Sequence, residues 1–181
     1  PKDKIEWIIV DDSDDPMEQN SDTIVAVAEK SNSLKIVYTP LKRKTAVSDK
    51  RNIGVKKATN PIVLFMDDDD HYPESSIRRR VGWLTKHSSN PKAVACTTIA
   101  CYDLVNGISS VNVPPLDIPL SQRISEATLT FYKSWWANRG FESLINVGEG
   151  ESFVAGREMD LLEIPPQQRS EERRVGKECL R

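Results

Sequence analysis

Two runs of aspartate dominate the chemistry available to this chain: Asp11, Asp12, Asp14 and Asp15, then Asp67, Asp68, Asp69 and Asp70. Four consecutive carboxylates repel one another, and such a run persists where water screens it or a cation neutralises it. Oxygen donors of this kind suit a hard divalent cation, Mg2+ or Mn2+, held through one or two carboxylates with phosphate oxygens completing its shell. An isolated acidic run is more often a solvated loop. Here the second run directly follows the apolar stretch IVLFM (residues 62–66), the mark of a buried strand, and that position favours a ligand site. His71, next in line, is either a loop residue or a further metal ligand. Two later acids, Glu149 and Glu151 in GEGESF (residues 148–153), have the chemistry of a proton acceptor. Their bland alternative is a pair of surface acids at a helix start, where negative charge is favoured.

These acids need elements to position them. Residues 5–10 (IEWIIV) read as a buried strand halted by Asp11, Asp12 and Ser13. A helix is predicted over 23–29, capped by Ser21 or Asp22, and a strand over 34–38. A basic loop with Lys42, Arg43 and Lys44 leads to a helix over 48–58, with Ile53, Val55 and Ala58 available for packing, ended by Pro61. Pro73 and Glu74 open a helix whose Ile77, Val81 and Leu84 form one apolar stripe. A strand over 93–102 and another over 108–113 flank a turn at Asn106 and Gly107. Residues 121–138 are predicted to be one helix carrying Phe131, Trp135 and Trp136, and 150–158 a last short one. This rhythm is α/β: an open mixed, mostly parallel sheet flanked by helices. Ligands in such sheets sit beyond the carboxyl ends of the strands, where both aspartate runs fall.

At 181 residues, 38% hydrophobic and 29% charged, the chain suits one globular domain, and no apolar run approaches the roughly 20 residues of a membrane span. A net charge of −2 calls for no nucleic-acid partner. Cys96, Cys101 and Cys179 match neither a zinc site nor a disulfide framework, which points to a reducing, cytoplasmic setting. Cys96 and Cys101 read as packing residues. Residues 169–179 (RSEERRVGKEC) resemble the in-frame translation of a sequencing adapter, so 1–168 are read as the domain and 169–181 as a non-native or disordered tail.

The segments IIVDDSDD (8–15), RNIGVKKA (51–58), VLFMDDDDHYP (63–73) and GEGESF together resemble the inverting glycosyltransferases of family 2, in order and in spacing. The resemblance implies a GT-A type fold, Rossmann-like, a nucleotide-sugar donor (typically a UDP-sugar) and a saccharide, peptide or lipid acceptor. It implies that Asp12, with Asp11, meets the nucleoside and that Asp67 and Asp68 belong to the donor site. Arg51 would line that site, and Asp69, with Asp70 competing, would hold Mn2+ or Mg2+. It also implies that Glu149 or Glu151 is the base. The family usually has Glu-Asp where this chain has Glu-Gly-Glu; Glu151 is the preferred base. Arg43 and Lys44 are candidate phosphate contacts or solvated loop charges. Trp135 and Trp136 are either an aromatic face for an acceptor or core. The family normally has an earlier strand and loop upstream of Ile5, so the chain is expected to be an N-terminally truncated fragment, weak or inactive alone. Two alternatives stand beside this reading: a response-regulator-like receiver domain with Asp67 as phosphoacceptor, and a non-catalytic nucleotide-sugar-binding module.

Overall fold

A computed structural model describes residues 5–13, 30, 34–98, 100–103, 105–112, 116–166 and 171–174. The helix expected over 23–29, Asp14, Asp15 and Cys179 lie outside them. Strand β1 (Ile5–Asp11) pairs in parallel with β2 (Leu34–Pro40), from Ile5 opposite Leu34 to Asp11 opposite Pro40. Helix α1 (Val47–Lys57) packs against β1 and leads to β3 (Ile62–Leu64). A second sheet has the order β3-β8-β5-β9, with β5 at Ala93–Ala95, β8 at Thr130–Tyr132 and β9 at Leu161–Glu163. β8 runs antiparallel to both β3 and β5, and β9 parallel to β5. The third sheet, β4-β10-β6-β7, comprises β4 (Asp70–His71), β6 (Ala100–Asp103), β7 (Ile108–Val111) and β10 (Glu171–Arg174). Helices α2 (Ser76–Lys86), α3 (Leu120–Arg123), α4 (Lys133–Asn138) and α5 (Glu149–Val154) complete an α/β fold with parallel and mixed sheets. β10 falls in the stretch expected to be a tail; residues 167–170 and 175–181 lie outside the description. Among the described residues no helix is long and apolar enough to cross a membrane.

Three expectations about local structure are corrected. The single helix over 121–138 is instead α3, a 3-10 turn at Glu126–Thr128, β8 and α4. Thr128, Leu129, Thr130 and Phe131 are all fully buried, and a continuous run of β-branched and apolar residues fits a strand covered on both faces better than a one-sided helix. The strand over 93–102 breaks after Ala95. The Cys96 N–H donates to Thr128 Oγ1 (2.9 Å) and its carbonyl accepts from Ser125 N–H (2.8 Å), so the chain leaves the sheet and starts β6 separately. In α2 the inward face is Ser76, Arg80 and Leu84, while Ile77 is 37% exposed. Arg80 is 1% exposed because its guanidinium satisfies backbone at the sheet edge: Nη2 donates to the carbonyls of Phe65 (2.8 Å) and Leu129 (3.2 Å), Nε to Thr130 Oγ1 (2.9 Å).

The main core gathers around β8. Phe131, Trp135, Phe141 and Phe153 pack with Leu129 and Val55, and Phe141 stacks on Phe153 at 4.0 Å between centroids. Phe153 and Val154, both fully buried, anchor α5 in this core. Arg157 lies over Trp135 (3.8 Å to the ring centroid), and its Nε donates to the Phe153 carbonyl (3.1 Å), closing the helix end. Cys96 is buried, as expected of a packing residue.

Glu6 fastens β1 to the turn before β3. Its carboxylate accepts from Thr59 N–H (2.7 Å), Thr59 Oγ1 (2.5 Å), Asn60 N–H (3.1 Å) and Lys35 Nζ (3.0 Å), and the side chain is 4% exposed. Burial alone would raise its pKa; the hydrogen bonds, led by Thr59, outweigh it and bring the group down to about 2. A carboxyl depressed on folding contributes stability above its unfolded value, and that contribution is lost as pH falls through the folded value. Glu6→Gln should therefore melt below the parent at neutral pH, with the gap closing as pH falls from 4.5 toward about 2. A gap independent of pH in thermal melts across that window refutes the role of the charge.

Candidate active site

Helix α1 supplies the centre of the site. Its first-turn N–H groups, which lack partners within a helix, are met by the segment just before α5: Ser48 N–H donates to the Ile145 carbonyl (3.0 Å) and Val47 N–H to Asn146 Oδ1 (3.3 Å). In return Ile145 N–H donates to Ser48 Oγ (3.0 Å) and Leu144 N–H to Asp49 Oδ2 (3.1 Å). Gly148 then turns the chain at φ 71°, a left-handed conformation that glycine adopts without strain, and α5 starts at Glu149. Along α5, Glu149 and Phe153 are four residues apart and share the inward face, so Glu149 is 4% exposed while Glu151 faces water.

Arg51 joins three elements. Its Nε donates to Glu149 Oε1 at 2.6 Å, while Nη1 and Nη2 donate to the two carboxylate oxygens of Asp67 at 3.1 and 3.3 Å. The guanidinium plane lies over the Phe65 ring at 4.6 Å. Burial alone would lower the Arg51 pKa, but Asp67 and Glu149 more than reverse it, so the charge is held.

Asp12, at the end of β1, accepts from Thr45 N–H (2.8 Å) and from Lys50 Nζ (2.9 Å), the residue before Arg51. These contacts, Thr45 first and Lys50 next, depress its pKa. Asp11 accepts from Tyr38 Oη (2.9 Å) and Ser13 N–H (2.9 Å). The acidic loop after β3 is closed by Tyr72, whose oxygen accepts from Asp67 N–H (2.7 Å) and whose hydroxyl donates to Asp70 Oδ2 (3.2 Å). Burial pushes the Tyr72 phenol up and keeps it a donor. Asp68 and Asp69 are exposed, as are Arg43 and Lys44. Glu151 accepts from Gln122 Nε2 at 2.7 Å.

The structure thus brings Arg51, Asp67 and Glu149 into contact, sets Asp12 one residue away through Lys50, and places Asp69 and Glu151 at exposed positions. Trp135 and Trp136 belong to packing rather than to an acceptor face: Trp135 is 4% exposed with Nε1 on Asp160 (2.9 Å), and Trp136 Nε1 donates to Asn52 Oδ1 (2.8 Å). His71 is exposed on β4. Sequence reasoning missed Tyr72, Arg80 and Glu126. Glu126 lies on the 3-10 turn, and its Oε1 accepts from Gly150 N–H at 3.2 Å. Burial, then the neighbouring Glu149, raise its pKa, with Arg51 acting in the other direction. An open depression of about 430 Å³ along α2, lined by Arg79, Gly82, Trp83, Lys86 and His87, shares no residue with these acids.

Among the described residues no three His, Cys, Asp or Glu side chains converge on a preformed metal cage. Asp67 is engaged by Arg51 and Asp70 by Tyr72, which leaves Asp68 and Asp69 as exposed carboxylates in the same turn. One or two such carboxylates fit Mg2+ or Mn2+ when substrate phosphate oxygens complete the shell.

A family model described as Glycosyl transferase family 2 matches residues 1–146, ending just short of Glu149. A crystal structure of S. aureus TarS 1-349 is similar over 93% of this chain and 53% of that one, with 16% identity and a TM-score of 0.56. The chain therefore spans about half the length of that structure, and the likeness concerns the fold. Among curated proteins no sequence matches.

Removing Arg51 would leave Glu149 buried without its cation. Arg51→Ala should cost about 3–5 kcal/mol in denaturant unfolding, and Arg51→Lys should recover part of that by restoring charge without the fork. Arg51→Met combined with Glu149→Gln should cost less than Arg51→Ala alone. A loss below about 1 kcal/mol for Arg51→Ala contradicts the central position given to this residue.

Proposed function

Because the chain belongs to glycosyl transferase family 2, we propose that it moves a sugar from a nucleoside diphosphate donor, a UDP-sugar, to a hydroxyl of a saccharide, peptide or lipid acceptor with inversion, as a hexosyltransferase. Membership in this family sets aside the receiver-domain alternative. The observation that carries the reading is the Arg51 guanidinium fixed between Asp67 and Glu149, which locks the acidic loop after β3 against the α5 acids.

Asp12 and Asp11, oriented by Thr45, Lys50 and Tyr38, hydrogen-bond the base or ribose. Asp67, oriented by Arg51, receives the ribose and sugar, with Asp68 beside it. Asp69 holds Mn2+ or Mg2+; Asp70, with an oxygen on Tyr72, is the weaker candidate. When bound, the cation neutralises charge that develops on the departing diphosphate. Glu149 is committed to Arg51 and keeps that residue in place. Glu151 is the base: it takes the acceptor hydroxyl's proton as the oxygen bonds to the anomeric carbon from the face opposite the diphosphate. The anomeric bond to phosphate breaks, and its electron pair leaves with the diphosphate.

Calorimetric titration of the 181-residue chain with UDP-glucose should show binding that depends on Mn2+ and weakens about tenfold or more in Asp69→Asn. Unchanged binding in that variant removes Asp69 from the metal site. Glu151→Gln should lower the rate of UDP release by about 100-fold with the donor Kd unchanged. Loss of turnover in Glu149→Gln but not in Glu151→Gln transfers the base role to Glu149. Donor binding without turnover on a panel of acceptors favours the non-catalytic module.

A further inference from the structure

Gly150 stands between two glutamates at the start of α5, and the space a side chain there would fill is taken. A Cβ built on Gly150 would meet Ile124 Cδ1 at 2.6 Å, Glu126 Cγ at 2.7 Å and Glu126 Oε1 at 3.0 Å. Contacts that short do not occur, so any side chain at 150 must displace its neighbours. The occupant is an acid from a different element: Glu126 belongs to the 3-10 turn between α3 and β8. Its Oε1 accepts the Gly150 N–H, one of the first-turn donors of α5 that the helix itself leaves unmet. The turn that carries it is fixed on both sides. Ser125 N–H is bonded to the Cys96 carbonyl, Thr128 Oγ1 accepts Cys96 N–H, and Ala127 and Thr128 are buried. Glu126 therefore reaches α5 from a base anchored to Cys96, just past the central strand β5.

We propose that Glu126 is a positioning residue of the α5 acid cluster, filling the space that position 150 leaves without a side chain and fixing the first turn of α5, with Glu149 and Glu151, relative to Arg51 and Asp67. This rests on the glycosyl-transfer reading above. The arrangement puts three glutamates around one short helix start with distinct tasks: Glu149 neutralises Arg51, Glu151 faces solvent, and Glu126 clamps the turn between them. The groups that face Glu126 are Glu149, which opposes its ionisation, and Arg51, which favours it.

The test is UDP release from UDP-glucose and from UDP-N-acetylglucosamine by the full chain with Mn2+. Glu126→Ala should lower kcat by about 10–100-fold while the donor KM stays within about threefold, because a displaced base impairs the chemical step more than donor binding. Glu126→Gln keeps the size and an oxygen acceptor for Gly150 N–H. It should restore kcat to within about threefold of the parent. Glu126→Gln as inactive as Glu126→Ala makes Glu126 the proton-transfer group itself and overturns the positioning role, as does Glu126→Ala with parental kcat.

If the parent releases no UDP from either donor, the transfer reading fails and thermal melts decide the matter. Gly150→Ala should lower the melting temperature less in a Glu126→Ala background than in the parent. Glu126→Gln should melt above the parent at neutral pH, since a carboxyl raised on folding loses its stabilising contribution as pH rises through its folded value. That difference should vanish below the unfolded value of 4.5. Equal costs of Gly150→Ala in both backgrounds overturn the proposal.

Discussion

One guanidinium holds the site together. Arg51 divides its donors between Asp67 on the loop after β3 and Glu149 on α5, and rests its plane on Phe65. A lysine could balance one of these carboxylates; the planar fork serves both in a fixed relative orientation. The cost of burying Arg51 and Glu149 is offset because each meets the other at 2.6 Å and because Asp67, 37% exposed, keeps partial access to water. The aromatic core behind them supplies the rigidity: Phe65 packs on Phe131 and Phe141, and Phe153 carries α5 against the same cluster.

Around this centre the acids are managed by different means according to depth. Asp12, its side chain 13% exposed, takes a backbone N–H and a lysine. Asp70 and the backbone of Asp67 share one tyrosine oxygen, so Tyr72 ties both ends of the aspartate run. Beneath that run lies Arg80, a buried cation whose described hydrogen bonds go to two carbonyls and a threonine, and whose pKa burial pulls down to about 10. Asp68 and Asp69 remain toward solvent.

Much of this was legible in the chain itself. The apolar runs ending at Asp11 and Asp67 fix two strands whose exits carry acids, and the helix over 48–58 matches α1 within a residue at each end. The contact between Arg51 and Glu149 was not written in any local pattern, since it depends on loop 144–146 docking on the start of α1. β8 was misread because a short buried run of Thr, Leu and Phe has no periodicity that separates strand from helix. Arg80 was passed over because a charged residue ordinarily marks the outer face, and its burial follows from carbonyls elsewhere in the chain. Glu126 fell inside the helix expected over 121–138, with nothing local to single it out. The signal that could have exposed it is the glycine at 150, a missing side chain in the middle of an acidic motif.

Arg51 and Glu149 are separated by 98 residues, Asn52 and Phe141 by 89, and Ser48 and Ile145 by 97. A centre closed by contacts this distant in sequence forms only after the chain has paid the entropy of a very long loop. During synthesis the acids of β1 and the loop after β3, with Arg51, exist well before Glu149 on α5 emerges from the ribosome. The centre around Arg51 is therefore among the last parts of the domain to assemble, and partly folded forms carry the acidic loop without the Arg51–Glu149 contact.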